Sequence, residues 1–144
     1  WRLVRQKGFE AFVASQGVPW IIRKLALLDT PTSSIQHLAG EAEGCSEVFE
    51  HELWEAGRTQ KRKWCVGGSA ETMKNPLGQD TALALSWFPG FPHVLVEEHA
   101  NPSHPKNSAT FLRWIDPERD EMVLTMIARD GSQATRFYSR QPNR

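Results

Sequence analysis

The feature that most constrains this chain is a rhythm. After Pro31 no long helical period appears; strand-length runs alternate with turn residues almost to the C-terminus. The runs are 33–38, 47–54, 59–66, 81–87, 93–99, 109–115, 121–128 and 133–139. Between them stand Ala39-Gly40-Glu41, Ala56-Gly57, Gly67-Gly68, Pro89-Gly90, Asn101-Pro102, Asp116-Pro117 and Asp130-Gly131. Asp-Gly between two alternating runs is a strong hairpin signal, because both residues tolerate the positive φ that a tight turn requires. The proline- and asparagine-rich stretch 100–108 reads as a wide hairpin end. Many short strands with regular turns point to an antiparallel sandwich or barrel.

The opening differs from the rest. Residues 1–4 read as a short strand, with Trp1 and Leu3 on one face, and Gly8 breaks it. Phe9, Phe12 and Val13 then recur at helical spacing, and Gly17 suits a helix C-terminus. Pro19 suits the first turn of a second helix whose faces are set by Trp20, Ile21, Lys24 and Leu25. Two short helices joined by a glycine turn form an αα-hairpin, which Asp29-Thr30-Pro31 ends. A length of 144 residues fits one domain, residues 1–144, with a real core. Seventeen basic residues balance seventeen acidic ones, which argues against a nucleic-acid partner. No apolar run reaches the ~18 residues of a membrane-spanning helix. Cys45 and Cys65 stand in no metal-binding or redox spacing; both suit a reducing cytosol, and no spacing argument favours their pairing. The chain begins at Trp1 rather than Met, as expected of a processed or excised chain.

Strand alternation puts Ala134, Arg136 and Tyr138 on one face of the last run, and Phe111, Arg113 and Ile115 on one face of an earlier one. Arginine keeps its charge when buried, so an inward Arg136 or Arg113 requires an anion. The order of one strand, a helix pair and then strands alone resembles the intracellular lipid-binding proteins, the fatty-acid-binding and retinoid-binding family. At the N-terminus the resemblance is carried by Trp1, Leu3, Gly8-Phe9-Glu10, Phe12-Val13, Arg23-Lys24 and Thr30-Pro31-Thr32. Trp64-Cys65-Val66-Gly67 carries it loosely in the middle. Phe111-Leu112-Arg113 and Arg136-Phe137-Tyr138 carry it most sharply near the C-terminus. The resemblance implies a mainly β fold: a ten-stranded antiparallel up-and-down barrel with a helix-turn-helix lid at about 9–28. It also implies an internal ligand, a fatty acid or retinoid-like acid, whose carboxylate is held by Arg113, Arg136 and Tyr138. Phe111 and Trp20 complete the expected ligand-binding set. The chain departs from the family in its proline-rich turns and its six tryptophans, which could crowd a cavity.

On this reading the protein is a cytoplasmic, monomeric, non-enzymatic carrier with no cofactor. Two alternatives come from other classes. One is the catalytic barrel domain of a larger enzyme, similar in fold to dinoflagellate luciferase, with Glu98 or His93 turned inward as acid or base. The other is an interaction module whose barrel is filled by its own tryptophans. Alternation requires one of Glu97 and Glu98 to face inward but does not say which. His93, His99 and His104 fall close together but read as solvated residues rather than metal ligands. The run Arg58-Thr59-Gln60-Lys61-Arg62-Lys63 reads as a solvated basic hairpin that, with Lys24, could attract an anionic membrane transiently. No phosphate loop, zinc motif or nucleophile elbow is present.

Overall fold

The structure is a computed structural model and describes residues 1–39, 43–75 and 77–142. Of the expected turns, Gly40 and Glu41 lie outside the described residues. The first strand, β1 (Arg2–Lys7), is followed by two helices, α1 (Phe9–Ser15) and α2 (Trp20–Leu27). Nine strands complete the described chain: β2 (Thr32–His37), β3 (Glu47–Glu55), β4 (Arg58–Val66), β5 (Glu71–Lys74), β6 (Asp80–Phe88), β7 (Phe91–Ala100), β8 (Ala109–Asp116), β9 (Glu121–Ala128) and β10 (Gln133–Ser139). A single 3-10 turn, Pro105–Asn107, sits in the wide connection before β8.

The ten strands form one sheet in the order β4-β3-β2-β1-β10-β9-β8-β7-β6-β5. Neighbours in this order pair antiparallel, and β1 pairs with β10 to join the two ends of the chain. The sheet closes where β4 meets β6 in parallel at Val66 and Leu85. Elsewhere along that seam, among the described residues, β4 and β5 do not pair, so the barrel wall is thinnest there. The expected ten-stranded lidded barrel is therefore the observed fold. Closure leaves the sheet few edges to protect.

Gly8 turns the chain from β1 into α1 with φ of 69°. A Cβ at that position would stand 2.3 Å from the Gln133 carbonyl oxygen, so only glycine lets α1 lie this close to β10. The helix buries Phe9 and Phe12 into a cluster with Leu3, Met122, Leu124 and Met126. A second cluster, Trp64, Val66, Leu83, Leu85 and Leu95, packs where β4, β6 and β7 converge. By contrast α2 buries no residue, and Trp20, Ile21, Leu25 and Leu28 face outward.

The final two strands have the expected bounds, and the other expected runs differ by only one or two residues at an end. Sequence periodicity missed β5, a four-residue strand with one partner, β6. The two cysteines are joined in a disulfide, with Cα atoms 5.2 Å apart. The bond ties the segment entering β3 to the end of β4. Gly68 has room beside it only because it lacks a side chain: a Cβ there would lie 2.3 Å from Cys65 Sγ.

Candidate functional site

Burial along β10 follows the two-residue period that the sequence requires. Ala134, Arg136 and Tyr138 point inward and are 2%, 5% and 2% exposed. On β8 the inward positions include Phe111 and Arg113, while Ile115 at the strand end is exposed. These side chains border an internal cavity of about 280 Å³. Phe9, Phe12, Leu53, Leu83, Phe111 and Leu124 supply much of its apolar wall. The tryptophans do not fill it: Trp64 is the one tryptophan among its lining residues, and Trp54 faces solvent.

Of the two glutamates in question, Glu97 faces inward and Glu98 is exposed, where it accepts a hydrogen bond from Thr110 Oγ1 at 2.8 Å. Arg113 Nε donates to Glu97 Oε2 at 2.9 Å, forming an ion pair with side chains 9% and 4% exposed. The Arg113 guanidinium also lies 5.3 Å from the centre of the Trp64 ring. His51 stacks on that same ring at 4.1 Å and shares a 3.0 Å hydrogen bond with Ser33 Oγ. Burial, reinforced by the positive charge of Arg113, lowers the His51 pKa to about 3, so the imidazole is neutral. Burial alone would raise the Glu97 carboxyl. The Arg113 charge and the contacts from His99 and Arg113 outweigh it and hold Glu97 ionised.

Arg136 has partners of its own. Its Nη1 donates to Glu55 Oε1 at 2.9 Å, its Nε to Gln6 Oε1 at 3.1 Å, and its guanidinium covers the Phe9 ring at 3.8 Å. One side chain thus clasps β10, β1, the end of β3 and the first residue of α1. Tyr138 borders the cavity and opposes Met122 on β9, whose sulfur contacts Arg113 Nη1 at 3.7 Å. Among the described residues the Tyr138 hydroxyl makes no hydrogen bond.

Arg62, read from sequence as part of a solvated basic hairpin, lines the cavity instead. It stands opposite His51 in the β3–β4 register, and its charge also disfavours His51 protonation. Among the described residues it has no ion-pair partner. The signal was available: Arg62, Trp64 and Val66 alternate on one strand face, and the last two are core residues.

Trp20 is not part of this arrangement. It opens α2, is 62% exposed and does not border the cavity; α2 packs against the core cluster through Ala26 and Leu27 near its other end. His93 and His104 are likewise exposed, so neither His93 nor Glu98 reaches the cavity as the catalytic alternative required. His99 does, with Nε2 3.6 Å from Glu97 Oε1. Among the described residues no group of three or more His, Cys, Asp or Glu side chains is arranged to hold a metal ion. Among the described residues no helix is long and apolar enough to cross a membrane.

No family model and no curated protein matches the chain. Solved structures do. A Schistosoma mansoni fatty acid binding protein in complex with arachidonic acid superposes with a TM-score of 0.79 at 20% identity, over 98% of this chain and 93% of that one. The fatty-acid-binding protein from Manduca sexta gives 0.73 at 19% identity, over 96% and 95%. As-p18, an extracellular fatty acid binding protein, gives 0.76 at 20% identity, over 97% and 92%. The chain has the lidded-barrel fold of the fatty-acid-binding and retinol-binding proteins.

Proposed function

We propose that the protein binds one hydrophobic monoanion, a fatty acid or retinoid-like acid, inside the barrel. The supporting observation is a charge imbalance in an apolar space. Arg113 is balanced by Glu97, Arg136 by Glu55 and Lys74 by Asp80, but Arg62, beside His51, has no acid against it among the described residues. One ligand carboxylate brings the Arg62–Arg113–Glu97 group to neutrality. The open Tyr138 hydroxyl is a further donor. In this reading Arg113, Arg62 and Tyr138 receive the head group, Phe111 borders the tail, and Arg136 holds the lid end of the barrel. The expected trio of Arg113, Arg136 and Tyr138 is thereby modified rather than repeated.

The tail supplies most of the affinity, about 0.8 kcal/mol for each buried CH₂. A charge-assisted hydrogen bond adds roughly 1.5–3 kcal/mol, so the cations chiefly select and orient. Binding is favoured over catalysis because the solved structures that share the fold are named as fatty-acid-binding proteins. Of the inward groups, His51, at about 3, and Glu97, held as an anion, are poorly suited to general acid–base work. The exposed apolar face of α2 near Lys24 suits transient contact with an anionic membrane during transfer. The disulfide favours an oxidising compartment over the cytoplasm expected from two free thiols.

The test compares palmitate with hexadecanol, which share a tail, on delipidated protein and on Arg62→Leu. Palmitate binding should weaken by about tenfold or more in the variant, the worth of one charged contact, with a much smaller change for hexadecanol. Equal losses for both would refute the anionic head-group assignment. Failure of both to bind the parent protein would refute the cavity reading itself.

A further inference from the structure

Five buried side-chain atoms among the described residues lack a hydrogen-bond partner: Gln16 Nε2, Arg23 Nε, Thr81 Oγ1, His99 Nε2 and Asn107 Oδ1. Arg23 lies on α2, away from the cavity. The other four residues all line it, and of these His99 Nε2 faces Glu97 Oε1 at 3.6 Å, which leaves three atoms with no polar partner: Gln16 Nε2, Thr81 Oγ1 and Asn107 Oδ1. A buried polar atom left unpaired costs about 1–3 kcal/mol, and native proteins leave few of them. Three bordering one apolar space are therefore a structural feature to explain.

They converge on one corner. His99 pairs with Leu83 across β6 and β7, and Thr81 is two residues from Leu83 on the same inward face. Such diagonal neighbours stand about 7–8 Å apart. His99 also pairs with Ala109 at the start of β8, and Asn107 lies two residues before Ala109. Gly17, next to Gln16 at the end of α1, approaches Asn107 closely enough that a Cβ there would be 3.8 Å from Oδ1. The corner is thus built by α1, β6, β7 and the turn before β8. Its far end is separate from Arg113: Thr81 lies six residues, about 20 Å, along β6 from Trp87, which pairs with Leu95, the partner of Arg113, and His99 beside Glu97 stands between the two.

The orientation of Asn107 is held from behind. Its Nδ2 donates to Gln79 Oε1 at 3.2 Å, which also accepts from Asn101 Nδ2 at 2.8 Å and Asn75 Nδ2 at 3.0 Å. With the amide nitrogen engaged there, Oδ1 remains as an acceptor only. Gln16 Nε2 is a donor only, and the Thr81 hydroxyl is both. A donor-only and an acceptor-only group at one place match a hydroxyl, which accepts and donates at once. A ketone oxygen would leave Asn107 unpaired, and a methylene would leave the whole corner unpaired.

We propose that this corner is a second polar subsite, and that the preferred ligand is a hydrophobic acid carrying a hydroxyl group remote from its carboxylate. This rests on the carboxylate reading given above and names the ligand class more closely. The chain then discriminates among acids of equal length by an oxygen function on the tail. The selectivity arises because the matching hydroxyl pairs groups that an unsubstituted tail desolvates without pairing.

The experiment titrates delipidated protein with palmitate, with hydroxypalmitates bearing the hydroxyl mid-chain or at the terminus, and with the corresponding ketones. At least one hydroxylated isomer should bind about tenfold tighter than palmitate, and its ketone should gain less. Thr81→Val and Gln16→Met should each bring the ratio of hydroxypalmitate to palmitate affinity down towards one. If palmitate binds but no hydroxylated isomer binds tighter, ordered water fills the corner and the subsite is refuted while the carrier reading stands. If no acid of either kind binds, both are refuted.

Discussion

Replacing Glu97 by Gln separates the structural role of the buried ion pair from the head-group role of the cations around it. The substitution keeps the side-chain volume and one acceptor oxygen but removes the charge opposing Arg113, whose side chain is 9% exposed. Breaking a buried pair by removing one partner costs about 3–5 kcal/mol. Because the amide oxygen still accepts from Arg113 Nε, about 3 kcal/mol is expected for the delipidated protein. The effect on binding has the opposite sign. Glu97 repels a carboxylate lodged near Arg113, and at an effective dielectric of about 20 and a separation of roughly 8 Å that repulsion is about 2 kcal/mol. Its removal should tighten palmitate by roughly 30-fold, since about 1.4 kcal/mol is tenfold, and should leave hexadecanol nearly unchanged. Urea unfolding of both delipidated proteins measures the first effect. Titration with the two ligands measures the second. Unchanged stability would refute the buried pair, and unchanged or weaker palmitate binding would refute the placement of the head group beside Arg113.

Acidification tests the buried histidine. The pKa of His51 is about 3 in the folded protein against an ordinary value of 6.5, so between these limits the unfolded chain binds the extra proton. Stability must therefore fall with pH there, by about 1.4 kcal/mol per unit or about 2 kcal/mol between pH 6.5 and 5. The lowered Glu97 carboxyl stays ionised in both folded and unfolded chains at those pH values, and its contribution fades only below its ordinary range. Urea unfolding at several pH values checks the slope, which should shrink in His51→Gln; a flat profile would show that the imidazole is solvated. Reduction of Cys45–Cys65 should cost about 3 kcal/mol for a closed loop with a sequence separation of 20 residues. Urea unfolding with and without a thiol reductant measures it, and coincident curves would contradict the cross-link.

What could be read from sequence divides along the reach of each signal. Alternation is local, and it grouped Ala134, Arg136 and Tyr138 on one face of β10, and Phe111 with Arg113 on one face of β8, faces that the fold turns inward. The Asp130-Gly131 turn defined the last hairpin. Alternation did not separate Glu97 from Glu98 because Leu95 and Val96, on opposite faces of β7, are both buried. The partners of Arg136 lay out of reach, since Gln6 is 130 residues away and Glu55 is 81. Arg62 was hidden by its company: a run of cations reads as solvated, although only alternate members of a strand face water. The position of Trp20 outside the cavity lining was not legible, because helical periodicity shows which residues share a face but not whether that face meets the barrel. The disulfide depends on how the segment before β3 meets the end of β4, which cysteine spacing does not encode.

The measurement that bears most directly on the central claim is a crystal structure of the delipidated protein after addition of palmitate. The account predicts one molecule inside the barrel, its carboxylate within hydrogen-bonding distance of Arg113 or Arg62 and its tail against Phe111 and Leu124. A palmitate bound outside the barrel, or one inside with its carboxylate turned away from both arginines, would contradict it.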